Sequence, residues 1–225
     1  MDVHYFLIKR LNFVRQFYVT ASMPYLERKR KIEAEEEPFV PPYSEDGEPA
    51  FLEEWLEADE SLHVLAYSCI SMLAAALHLY FKAWVKESGV PTDEQQFKRV
   101  KGKQGWLAAY MKHFLQRFNI DIGSASINLR LFEEVVLARN LVEHPESITS
   151  LRPHFSDADL KKLQHPFFVD ESEAELLAHA DEGEMAWFIP PTLHVTHAQL
   201  LDVTSEIERF AEWFEAEIER RLYAQ

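Results

Sequence analysis

The densest group of residues able to do chemistry is Ala138-Arg139-Asn140-Leu141-Val142-Glu143-His144-Pro145. Four residues separate Arg139 from His144, and Asn140 follows the arginine directly. An imidazole exchanges a proton near neutral pH, and a guanidinium stays charged and forks onto phosphate oxygens. This set suits cleavage of a phosphodiester that carries its own nucleophile. RNA holds a 2′-hydroxyl beside each phosphodiester. Internal attack needs a base at that hydroxyl, an acid at the leaving oxygen and positive charge at the phosphorane. In this reading His144 transfers protons and Arg139 stabilises the phosphate. Asn140 lies four residues before His144 on the same helix face, and it orients the imidazole or holds a phosphate oxygen. One imidazole does not easily serve both ends of the reaction, and no metal is required. A structural reading uses the same residues differently. Arg139 and Glu143 have the spacing of a helical salt bridge, and a histidine at a helix C-terminus suits the dipole there.

Other reactive residue types are scattered. Lys98, Arg99, Lys101 and Lys103 form a compact basic stretch, read as a solvated loop or as an RNA backbone contact beside the active groove. Glu60 and His63 have the spacing of a di-iron ligand pair, but no second such pair lies on an apolar face, so no metal site is expected. His194 and His197 read as solvated or capping residues. Cys69 is the single cysteine, which excludes an internal disulfide and a cysteine-rich zinc site, and its apolar surroundings make it a core residue. No phosphate-binding glycine loop is present, and no cofactor is expected.

The elements that must position these residues are helical. Six glycines in 225 residues are few for a β-rich fold, and the charged residues favour helix. Residues 2 to about 36 read as a helix that Pro24 kinks or restarts. Prolines at 38, 41, 42 and 49 mark a loop. A long helix over about 50–88, with a possible break near Asp59, carries apolar residues on most of its surface and belongs at the centre of a bundle. Trp106 to Phe118 form another apolar stripe, and a helix over about 125–144 ends at Pro145. Residues 145 to about 192 are irregular, with short helices expected near 156–163 and 171–180 and a short strand at Trp187-Phe188-Ile189. Thr196-His197-Ala198-Gln199 has the form of a capping box, and it opens a last helix with near-heptad apolar spacing to Leu222.

The Arg-Asn-x3-His motif closing one long helix, followed by a variable loop and a last helix, resembles the HEPN superfamily over roughly residues 60–222. The resemblance implies an all-α, up-and-down helical bundle with a long irregular insertion before the last helix. The expected layout is one domain, with a core over about 50–144 and 196–222, an N-terminal helical extension at 1–37 and the insertion at 145–195. In that family two motifs meet across a dimer interface, which implies a homodimer whose composite site has two histidines and two arginines. Arg139, Asn140 and His144 are the catalytic residues so implied. Some HEPN toxins carry a tyrosine two residues after the histidine, which a partner antitoxin modifies. Here that position is Glu146 after Pro145, so this regulation is not implied and an antitoxin or other regulatory partner cannot be read from the chain.

The net charge of −15 repels nucleic acid and anionic membranes on average, so any RNA contact must rest on a local basic patch. No signal peptide is visible. The most apolar run, Val64 to Leu77, is too short to span a bilayer, and a cytoplasmic location is expected. Apolar surface on the last helix and on residues 62–84 adds to the case for a two-fold dimer. The functional expectation is a metal-independent endoribonuclease. The alternative is a catalytically inactive helical dimer that binds nucleic acid or protein.

Overall fold

The computed structural model describes residues 2–43, 49–145, 152–163, 165–179 and 190–223. They form seven α-helices: α1 (Val3–Glu33), α2 (Leu52–Glu87), α3 (Glu94–Phe118), α4 (Leu129–Glu143), α5 (Asp157–Leu163), α6 (Glu171–His179) and α7 (His197–Tyr223), with a 3-10 turn at Ile122–Ser124. The fold is all-α. Among the described residues extended pairing is limited to one bridge, between His154 and Thr192.

α2 is the axis of the core. Leu65, Ala66, Cys69, Ile70, Leu73, Leu77, Tyr80, Phe81 and Trp84 are all buried along it, because apolar side chains recur on more than one of its faces. The helix runs unbroken through Asp59. By length and composition alone α2 is apolar enough to cross a membrane; here its apolar faces pack against the other helices. Phe81 stacks on Tyr110 of α3 with ring centres 5.4 Å apart, and it meets Phe210 of α7 at 5.4 Å. Phe114 meets Phe214 edge-on at 4.8 Å. Ring pairs of this kind add roughly 0.5–1.5 kcal/mol each beyond area burial.

α1 is not an extension. Leu7, Leu11 and Val14 are buried in the same core as α2 and α7. Its far end is tied to the start of α2 by Lys29 on Asp59 at 2.6 Å, so the two helices run antiparallel. Arg15 forks onto Glu208 of α7 at 2.6 and 2.9 Å. The break expected at Pro24 is absent, and α1 continues to Glu33. A proline removes one amide donor from the helix, and α1 absorbs that loss without ending.

α3 carries a sharp corner. Gly105 has φ +86°, a left-handed value that glycine adopts without a Cβ penalty. The two arms fold back on one another there: Phe97 meets Tyr110 with ring centres 5.0 Å apart, although twelve residues separate them. The basic stretch 98–103 therefore lies on the first helical arm and at its tip, not in the loop expected from composition.

The described part of the insertion between α4 and α7 is tied to the core. Short helices form at the two predicted places, and Phe155, Leu163, Phe168, Val169, Leu193 and Val195 are buried in the main core. The Phe167 peptide is clamped: its N–H donates to both oxygens of Glu134, at 3.0 and 2.8 Å, and its C=O accepts from Gln199 Nε2 at 2.6 Å. The strand expected at 187–189 lies outside the described residues. The capping box forms as the sequence predicts, with Gln199 N–H donating to Thr196 Oγ1 at 3.2 Å and Thr196 N–H donating to Gln199 Oε1 at 2.8 Å.

The apolar stripe of α7 is consumed by the core, since Leu200, Val203, Ile207, Phe210, Phe214 and Ile218 are all buried. Leu201 on the same helix stays exposed, and Trp213 and Leu222 are partly buried. Large exposed apolar side chains lie on α1 (Phe6, Phe13, Met23 and Leu26 among them) and on α2 (Leu52, Leu56, Val64 and Leu79).

Candidate active site

α4 presents the motif at its C-terminal end. Asn128 caps the helix start through its side chain, and Leu131, Phe132, Val135 and Ala138 anchor it in the core. This leaves Arg139 half-buried and Asn140, Glu143 and His144 exposed. His144 is the C-cap, and its N–H donates to Asn140 C=O at 3.0 Å. Pro145 follows it, so the helix cannot continue. Arg139 forms an ion pair with Glu143 one turn on, and it donates to Asn140 Oδ1 at 3.1 Å. Arg139, Asn140 and His144 are thus within one turn and a half of helix, at a solvent-facing end. The guanidinium is engaged by Glu143, as the structural reading of the motif expected.

A second imidazole sits nearby on α2. His78 is half-buried and stacks on Trp106, with ring centres 4.7 Å apart and planes 25° from parallel. Tyr110 flanks it at 5.7 Å. Burial, then the positive charges of Lys101, Lys82 and Arg139, push its pKa below the usual histidine value. Three helices therefore bring cations to one ring: Lys82 from α2, Lys101 from the tip of the α3 hairpin and Arg139 from α4.

The expected basic residues divide. Lys101 joins Arg139 around His78. Lys98 pairs with Glu94 at 3.1 Å, and Arg99 lines a shallow cleft with Asp93, Gln95 and Gln96 at the opposite end of the first α3 arm. Lys103 is exposed. Sequence reasoning missed His78, Lys82 and Trp106. The available signal was the four-residue spacing of His78 and Lys82 on one helix face, together with an indole directly after the corner glycine.

A cavity of about 780 Å³ lies elsewhere, between the start of α4, the Phe167 segment and the start of α7. Arg130, Glu134, His165, Asp170 and His194 line it, and no residue of the 139–144 motif does. Burial raises the Glu134 carboxyl to about 7, against the opposing pull of the Phe167 N–H. That carboxylate already accepts from Phe167 through both oxygens, so it serves to anchor the insertion.

The remaining candidates are absorbed by structure. Glu60 accepts from Arg152 Nε at 2.7 Å, and His63 lies 3.4 Å from Asp59. His194 packs edge-on against His63 at 5.0 Å, and His197 stacks on Tyr18 at 5.0 Å. Among the described residues no three His, Cys, Asp or Glu side chains converge as a metal-binding group. Burial pushes the Cys69 thiol up to about 12. Comparisons with family models, with curated proteins and with solved structures find no match to this chain.

Proposed function

We propose that this chain is a HEPN-like helical bundle with an insertion before its last helix, and that it is a metal-independent endoribonuclease. The observation that carries the reading is the end of α4. There an exposed imidazole, His144, lies within two helical turns of a guanidinium whose positive charge, with those of Lys101 and Lys82, acts on the half-buried His78. That arrangement sets a proton-transfer group beside a local positive field in a chain of net charge −15.

The reaction balances without a metal. A base takes the proton of the 2′-hydroxyl, the 2′-oxygen bonds to phosphorus, and the bond from phosphorus to the 5′-oxygen breaks. That oxygen leaves with a proton from an acid. In a two-fold dimer the two copies of His144 serve as base and acid, and the two copies of Arg139 hold the phosphorane oxygens. The exposed apolar residues of α1 offer surface for association.

One observation favours a second reading. The Arg139–Glu143 ion pair satisfies the guanidinium within its own helix, as a silent bundle that binds nucleic acid or protein would have it. Incubation of the protein with total RNA in EDTA separates the two. Cleavage that disappears in His144→Ala supports the nuclease, and intact RNA with both proteins supports the silent bundle.

A further inference from the structure

We propose that the open face of α2, a stripe from Glu57 to Lys86, is the contact surface for a second copy of this chain, packed antiparallel about a two-fold axis level with Ser71 and Met72. This supplies the second copy that the nuclease reading requires, and it rests on that reading for its purpose alone.

Three observations carry the contact. The first is an open apolar face. Of the most apolar 18 residues of α2, 56% are buried within the chain. Val64 and Leu79 stay 52% and 43% exposed, and Ser68 and Ala75 between them are exposed as well. No Asp or Glu occurs from Ser61 to Lys86, in a chain with 38 of them. Two copies of net charge −15 repel, and they approach most easily through a face without carboxylates. Its serines can be covered without loss of a partner. Ser61 and Ser68 Oγ already donate to the carbonyls of Glu57 and Val64, at 2.8 and 2.9 Å.

The second observation is that the stripe complements itself. Residues three and four apart share a helix face. Reversed about its middle, the stripe sets Val64 against Leu79, Ser68 against Ala75 and Ser71 against Met72. The same reversal brings Glu57 onto Lys86, and both are exposed. Glu57 also holds Arg28 at 2.9 Å. A parallel pairing would set each of these charges against its own copy. Larger side chains thus flank a centre of smaller ones, where helix axes can approach to about 8–10 Å. Residue i meets j and j meets i, as an isologous two-fold contact requires. A bilayer or an unrelated protein has no need of that reversal symmetry. The third observation is extent. From Glu57 to Lys86 the helix runs about 45 Å. α1 widens the face, since Phe6 lines one groove with Leu79 and Ala83. Such a face is on the scale of the roughly 800 Å² per partner that stable dimers bury.

The test is sedimentation equilibrium of the full chain, with circular dichroism to check that each variant keeps its helices. The wild type should be a dimer at micromolar concentration. Ala75→Glu should weaken the dimer about 100-fold or more, because each copy then buries a carboxylate at the seam. Lys86→Glu should weaken it about tenfold, and adding Glu57→Lys should restore it. Met23→Glu, at an exposed position of α1 outside the stripe, should leave the dimer as in the wild type. Disulfide trapping reads the register. A mixture of Val64→Cys and Leu79→Cys proteins should cross-link on mild oxidation. Either protein alone should not, because two copies of one position then lie about 22 Å apart. The buried Cys69 stays out of the reaction. A dimer that survives Ala75→Glu, or that Met23→Glu breaks, would overturn the proposal. So would a monomeric wild type, including one that floats instead with vesicles of phosphatidylcholine and phosphatidylserine. RNA cleavage is read in parallel. A dimer of this register without cleavage keeps the contact and removes the nuclease, whereas cleavage by a monomeric wild type does the reverse.

Discussion

Arg139 closes on the carboxylate of Glu143 one turn further along α4, and the same guanidinium donates to Asn140 at 3.1 Å. Both partners of the ion pair are more than a third exposed, at 37% each. Pairs in such surroundings contribute under about 1 kcal/mol, because water competes for both charges. A phosphate offers Arg139 a stronger, forked acceptor. On the proposed nuclease reading, Glu143 competes with RNA for Arg139. Glu143→Gln should bind RNA several-fold more tightly and cleave it faster, with a stability change under about 1 kcal/mol. Anisotropy and thermal unfolding check this; weaker binding by Glu143→Gln would show that the carboxylate positions Arg139 for RNA.

Glu134 gives a pH prediction. Its folded-state carboxyl titrates near 7, above the ordinary value of 4.5, because it is buried. Between those values the folded chain holds a proton that the unfolded chain has released. Stability contributed by this group therefore falls as pH rises through that window. Glu134→Gln keeps an acceptor for the Phe167 N–H and should flatten that part of the pH–stability curve. Glu134→Ala leaves the amide unpaired and should cost about 1–3 kcal/mol at neutral pH. Urea unfolding at several pH values measures both, and parallel curves for wild type and Glu134→Gln would contradict the assignment.

Leu11 tests the place of α1. It is fully buried in the shared core. Leu11→Ala should destabilise the whole fold by about 2–5 kcal/mol, the range for a large-to-small change in a packed interior. A loss under about 0.5 kcal/mol would return α1 to the status of an appendage.

Much of this architecture was legible in the sequence. The apolar periodicity of α2 and α7, the capping box at Thr196 and Gln199 and the stop at Pro145 all rest on local rules, and the structure follows them. Pro24 and the status of α1 were not legible, because they depend on what α2 and α7 offer to the other side of that helix. The corner at Gly105, which folds the basic arm back on the aromatic one, was not legible either. For the site, Arg139, Asn140 and His144 were found because they are close in sequence. His78, Lys82 and Trp106 were missed because three separate helices bring them to Arg139 and Lys101, and no local spacing encodes that meeting.

Cys69 offers a test of the core itself. Its side chain is buried and burial raises its thiol to about 12, so the nucleophilic thiolate is scarce at neutral pH. A thiol reagent should leave the native protein unmodified and react fully in denaturant. Rapid labelling of the folded chain would mean that α2 opens far more readily than its packing implies.

The central claim is that Arg139 and His144 cleave RNA through its own 2′-hydroxyl. The most direct measurement follows a single-stranded RNA in EDTA, with its products resolved by mass. The wild type should cleave, and the products should end in 2′,3′-cyclic phosphate. A 2′-O-methyl group at the scissile position should block the reaction, because the nucleophile is gone. His144→Ala should lose roughly 10² to 10⁴ in rate through loss of proton transfer. Arg139→Ala should lose on the order of 3 kcal/mol of transition-state stabilisation, by analogy with a deleted oxyanion donor. Cleavage that requires magnesium, survives the 2′ block and persists in His144→Ala would contradict the account, and the end of α4 would then be an ordinary salt-bridged helix terminus.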